Sequence, residues 1–112
     1  MTARKLEKAN WGPFLDHLSK SLAGARVEIE ASSLPLGKHV QAEWLPLIGL
    51  TYDPKDDIVE LALEGLDHLI HKPRDIYVED ATGLLANLEI VDAEGLTQAV
   101  KLKEPLMLPR HQ

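Results

Sequence analysis

Asp67-His68-Leu69-Ile70-His71 is the segment of this chain in which ligand-type side chains cluster most closely. Wound as a helical turn, it puts His68 and His71 one turn apart on one face, with Asp67 beside His71 at i, i+4. Two imidazoles and a carboxylate can hold Zn²⁺, Ni²⁺ or Fe²⁺, so Asp67, His68 and His71 are the candidate metal ligands. The HExxH spacing is absent, and the competing reading is two surface histidines near a turn that Asp67 caps. Lys72, Arg74 and Tyr77 follow at once as a small basic and aromatic spot in acidic territory. They are the candidate contacts for an acidic ligand or RNA, unless they only neutralise Asp75 and Asp67.

Other chemistry finds no constellation. Acid–base catalysis needs two titratable groups held at different pKa values in one pocket. Glu28 with Glu30, and Glu60 with Glu64, instead alternate outward along strands as the wet face of a sheet. Ser32-Ser33 lies in no nucleophile elbow, and no Gly-rich loop leads from a strand into a helix. The chain has no cysteine, which removes thiolate catalysis, disulfides and Cys-ligated zinc together. No catalytic residue is assigned and no cofactor is expected.

Composition bounds the rest. The 112 residues are 45% hydrophobic and 27% charged, with a net charge of −6, an ordinary globular balance. One domain spanning 1–112 is expected, large enough to bury a core without staples. Residues 53–94 carry twelve acids against three bases, while the remainder carries six acids and nine bases. This acidic body disfavours a phosphate backbone. The basic start can attract an acidic partner, or the acidic surface of a second copy. MTARKLEKANW has no apolar run behind its charges, and no window approaches the ~20 apolar residues of a membrane span. The expectation is a cytoplasmic protein without a membrane partner.

The elements that must position these residues are legible as two periods. Trp11, Phe14, Leu15, Leu18 and Leu22 recur at helical spacing and predict a helix over about 12–23, with Asn10 or Gly12 as cap, Pro13 in the first turn and Gly24 as stop. After Gly24 the period becomes 2. Strands are predicted at about 26–33, 39–45, 47–52, 58–64, 75–79, 84–91 and 96–103. Asp53-Pro54-Lys55-Asp56 is a type I turn signal, and Pro46 marks a bend, bulge or edge. Residues 65–74 read as a marginal helical turn or a loop, and the apolar tail EPLMLP packs on the body or on a neighbour. The sum is an α+β domain: an N-terminal amphipathic helix packed on a curled, mainly antiparallel sheet of about five or six strands, barrel-like or half-open.

Residues 42–80, AEWLPLIGLTYDPKDDIVELALEGLDHLIHKPRDIYVED, with the opening KLEKANWGPFLDHLSKSL and the ending KEPLMLP, resemble a family of small bacterial proteins of unknown function. The resemblance covers nearly the whole chain and implies a bacterial setting, with no activity and no site residues. The order of helix then curled sheet is similar, at the level of fold alone, to Sm-like RNA-binding barrels. The leading expectation is a non-enzymatic binding or assembly module that forms a homodimer. The alternatives are a metal-binding protein or metal-dependent enzyme using Asp67, His68 and His71, and an Sm-like nucleic-acid-binding domain.

Overall fold

In the computed structural model, which describes residues 2–33, 35, 37–81 and 84–107, the chain runs β1 (Thr2–Lys5), a 3₁₀ turn (Lys8–Asn10), α1 (Trp11–Ser21), β2 (Arg26–Ser33), β3 (Gly37–Asp53), β4 (Ile58–Leu63), β5 (Leu66–His71), β6 (Pro73–Ala81), β7 (Leu84–Asp92) and β8 (Thr97–Met107). The helix forms where the aromatic and leucine spacing places it. Trp11, Leu15, Leu18 and Leu22 are buried along one stripe, and Phe14 packs partly against the same core. Gly24, at φ +86°, ends it in the left-handed conformation that a side chain would strain.

All ladders are antiparallel, and the sheet order is β1-β6-β7-β8-β2-β3-β4-β5. β3 is the hinge of this arrangement. Its residues 37–46 pair with β2, and its residues 47–53 pair with β4. Pro46 stands where the partner changes, so its missing N–H falls at a break in the ladder, and Trp44 nearby takes φ +51°. The second half of β3 would then leave a bare edge opposite β4. The end of α1 covers it: the Leu50 N–H donates to Ser19 Oγ at 3.0 Å, the Leu47 N–H to the Ala25 carbonyl at 2.8 Å, and the Gly24 N–H to the Leu47 carbonyl at 2.8 Å. A helix end thus substitutes for a strand, one of the ways sheets blunt an edge. Ser19→Ala is expected to cost about 1 kcal/mol, read as a lowered urea midpoint with an unchanged denaturant slope. No change in midpoint would show that water replaces the hydroxyl.

The sheet doubles back so that β5 lies over β8, and His68 on β5 is hydrogen-bonded to Gln98 on β8. Between the layers lies a single cluster that includes Val27, Ile29, Leu50, Val59, Leu61, Ile70, Ile76, Ile90 and the leucines of α1.

The expected α+β architecture is not what forms. Among the described residues the protein is mostly sheet: eight strands against one α-helix of 11 residues, in a sheet that is not closed, in place of a helix on five or six strands. Three local causes account for the difference. TARK at the start shows no strand pattern in sequence yet pairs with β6, through Arg4 opposite Val78 and Lys5 opposite Tyr77. LDHLIH, read as a turn of helix or a loop, is strand β5. The tract from Gly37 to Asp53 is continuous despite Pro46, because it changes neighbours instead of stopping. Val40 is 52% exposed, whereas Ala42 on the same strand is buried. The tail is strand as far as Met107, whose backbone pairs with Leu84, and residues 108–112 lie outside the described residues.

Candidate functional site

The candidate residues between 67 and 77 are distributed by strand geometry. In β5 successive side chains point to opposite faces. Leu66, His68 and Ile70 turn inward, while Asp67, Leu69 and His71 are exposed. The three expected metal ligands therefore separate, with His68 inside against Gln98 and the other two outside. Among the described residues, no group of three or more His, Asp or Glu side chains lies close enough to hold a metal ion. The helical turn that would have brought His68 and His71 together does not exist.

Lys72 makes the corner between β5 and β6 at φ +52°. Its N–H donates to the Asp57 carbonyl at 2.9 Å, and its carbonyl accepts from the Ala93 N–H at 2.9 Å, tying the β3–β4 turn to the β7–β8 turn. Lys72 lines a cleft of about 280 Å³ with His71, Asp92, Glu94 and Gln98. Arg74 faces a different one. Tyr77 is half-buried on β6, opposite Lys5 and Glu89. Lys72 and Arg74 thus line different clefts, and Tyr77 lies across the ladder from Lys5, on the Arg74 side.

Arg74 instead joins two residues that lie about seventy positions earlier in the chain and that motif reading passed over. A cleft of about 330 Å³ is lined by Lys5, Leu6, Glu7, Lys8, Trp11, Arg74 and Asp75. Arg74 Nε donates to Asp75 Oδ2 at 3.0 Å, and Lys5 Nζ lies 3.2 Å from Asp75 Oδ1. The two cations are 57% and 62% exposed at their side chains, and the carboxylate between them 16%. Lys8 Nζ stands 5.5 Å from the centre of the Trp11 ring, within cation–π range. Beyond Lys8, a second cleft of about 390 Å³ is lined by Ala9, Gly12, Pro13, Tyr52 and Pro54. Trp11 and Tyr52 form its support, meeting edge to face at 5.2 Å, and the Tyr52 hydroxyl donates to Asp57 Oδ1 at 2.8 Å. Burial, then that hydrogen bond, raises the Tyr52 phenol above its ordinary value. What this arrangement offers chemically is three exposed cations beside Leu6 and Trp11, with Glu7 and Asp75 offsetting part of their charge, an excess of positive charge suited to an acidic group.

A complementary feature lies on the outer face of β4 and β5. Glu60 shares a hydrogen bond with Asp67, and that bond, followed by the Asp67 charge, raises the Glu60 carboxyl above the ordinary carboxylate range. Asp75 moves the other way: the Arg74 hydrogen bond lowers it, with burial opposing and Lys5 assisting. The signs for stability are opposite. The folded chain holds the Glu60 proton to higher pH than the unfolded chain does. Stability therefore falls as pH rises from the ordinary glutamate value through the raised one. The Asp75 contribution is present above the ordinary aspartate value and is lost as pH falls through the lowered one. Carbon-detected NMR titration of the side-chain carboxyls is expected to show Glu60 titrating above Asp75, and at a lower pH in Asp67→Asn than in the unaltered protein. A Glu60 titration indifferent to that substitution would disconnect the two groups.

Fold and surface together define a small open-sheet β protein that presents a cationic cleft at one end of the sheet and paired carboxyls at the other. The chain belongs to the family described as "Family of unknown function (DUF5335)", whose model matches residues 2–111. It is similar to an uncharacterized protein of Aquifex aeolicus (strain VF5), 39% identical over 110 residues that cover 97% of this chain and 99% of that protein. No solved structure matches it. No helix among the described residues is long and apolar enough to cross a membrane.

Proposed function

We propose that this protein is a non-enzymatic binding or assembly module that pairs with a second copy of itself as a homodimer. The observation that carries this reading is the open sheet. β1 and β5 stand at its two ends, each with a strand neighbour on one side only among the described residues. Such edges are templates for pairing with another chain. β5 adds Leu69, 42% exposed and flanked by Asp67 and His71. The relative from Aquifex aeolicus supports a bacterial setting, and a cysteine-free chain suits a reducing cytosol. Light scattering and sedimentation at tens of micromolar, a loose choice for weak dimers, are expected to give twice the chain mass of 12.4 kDa. A strict monomer there removes the assembly reading.

A further inference from the structure

We propose that the surface taken up in this pairing is the outer face of β4–β5, and that its occupant is the Lys5–Lys8–Arg74 cleft of a second copy. The inference rests on the assembly reading and adds the two surfaces that meet. The outer face is laid out by the ladder: His71 opposite Ile58, Leu69 opposite Glu60, and Asp67 opposite Ala62. Leu69 is therefore an exposed apolar residue with Glu60 directly across the ladder and Asp67 two positions along its own strand. Two such faces cannot dock on each other without stacking acid on acid, so the occupant must bring positive charge.

The chain supplies that charge at the other end of its sheet. Lys5 and Arg74 share Asp75, which Arg74 meets through Nε, and both side chains remain more than half exposed. The aliphatic stems of Lys5 and Lys8 give Leu69 an apolar seat while their heads reach the carboxyls. In a two-fold dimer the basic cleft of each copy meets the acidic face of the other, so the contact is made twice.

Charge exchange tests this. Lys5→Glu/Arg74→Glu makes both docking surfaces acidic, and Glu60→Lys/Asp67→Lys makes both basic. Each variant alone is expected to sediment as a monomer at concentrations where the unaltered protein is a dimer. An equimolar mixture is expected to regain dimer mass, because both contacts of the mixed pair are again opposite in sign. Dimers that persist in each variant alone, or a mixture that stays monomeric, overturn this docking while leaving self-association standing. An unaltered protein that is itself monomeric removes both. Circular dichroism melts establish that each variant folds. If either does not, the neutral pairs Lys5→Gln/Arg74→Gln and Glu60→Gln/Asp67→Asn are used. Each is then expected to weaken the dimer by at least about tenfold, and an unchanged dissociation constant overturns the proposal.

Discussion

Trp11→Ala is expected to lower the unfolding free energy by about 3–5 kcal/mol, the usual cost of deleting a buried large aromatic. Trp11 is 1% exposed, and three elements converge on it. Its Nε1–H donates to the Leu6 carbonyl at 3.3 Å, which pins the link between β1 and α1. Tyr52 on β3 meets it edge to face, and Lys8 covers its ring. A domain of this size has about 5–15 kcal/mol in total, so the variant sits near the edge of folding at room temperature. Trp11→Phe keeps most of the buried area and loses the N–H, and about 1–2 kcal/mol is expected there. Urea melts followed by far-ultraviolet circular dichroism measure both. A Trp11→Ala loss below 1 kcal/mol, the scale of a surface change, would mean that the indole does not hold α1 to the sheet.

The second large effect concerns His68 and Gln98. Gln98, 6% exposed, is the one polar side chain among the buried residues described. The His68 Nε2–H donates to its Oε1 across the two layers. Gln98→Leu leaves that N–H without its partner, and about 1–3 kcal/mol is the expected cost. His68→Leu strands the amide in the same way. The double variant replaces both partners with apolar groups and is expected to recover most of the loss, because neither partner is then left unsatisfied. The cycle therefore predicts a coupling of about 1–2 kcal/mol. Single losses that simply add would show that each group reaches water separately and that the bond across the layers contributes nothing.

These two sites also show where sequence reading succeeds and where it stops. Helix α1 is legible because its pattern is local: five apolar residues at three- and four-residue spacing, with glycine at the stop. β2 and β4 are legible for the same reason, since Val27, Ile29, Ala31 and Val59, Leu61, Leu63 alternate without interruption and all are buried. β5 misleads because one of its inward positions is a histidine. Leu66, Leu69 and Ile70 mimic a helical turn, and the true inward set is Leu66, His68 and Ile70. A polar residue can face inward there only because Gln98, thirty positions away, satisfies it. β1 is four residues with no alternation to read, and its pairing with β6 depends on contacts more than seventy positions distant. The cationic cleft is hidden for that same reason. Arg74 was visible as a charge, but Lys5 and Lys8 join it only after the fold has formed, and the paired carboxyls of Glu60 and Asp67 likewise need the β4–β5 register.

The place of β2 in the sheet bears on how this protein can be made. β2 lies between β3, which follows it directly, and β8, the last of the described strands. A nascent chain on the ribosome can close the β3–β4–β5 meander early, since β3 pairs with β4 and β4 with β5. β2 must wait with one flank unpaired until Thr97–Met107 has been synthesised, and β1 must wait for β6. Non-local pairing of this kind slows folding and prolongs exposure of sticky flanks. Synthesis of Thr97–Met107, and not the emergence of the amphipathic helix, is thus the event that permits the native sheet. A chain ending at Gly95 is expected to stay protease-sensitive throughout β2, however well its later hairpins form.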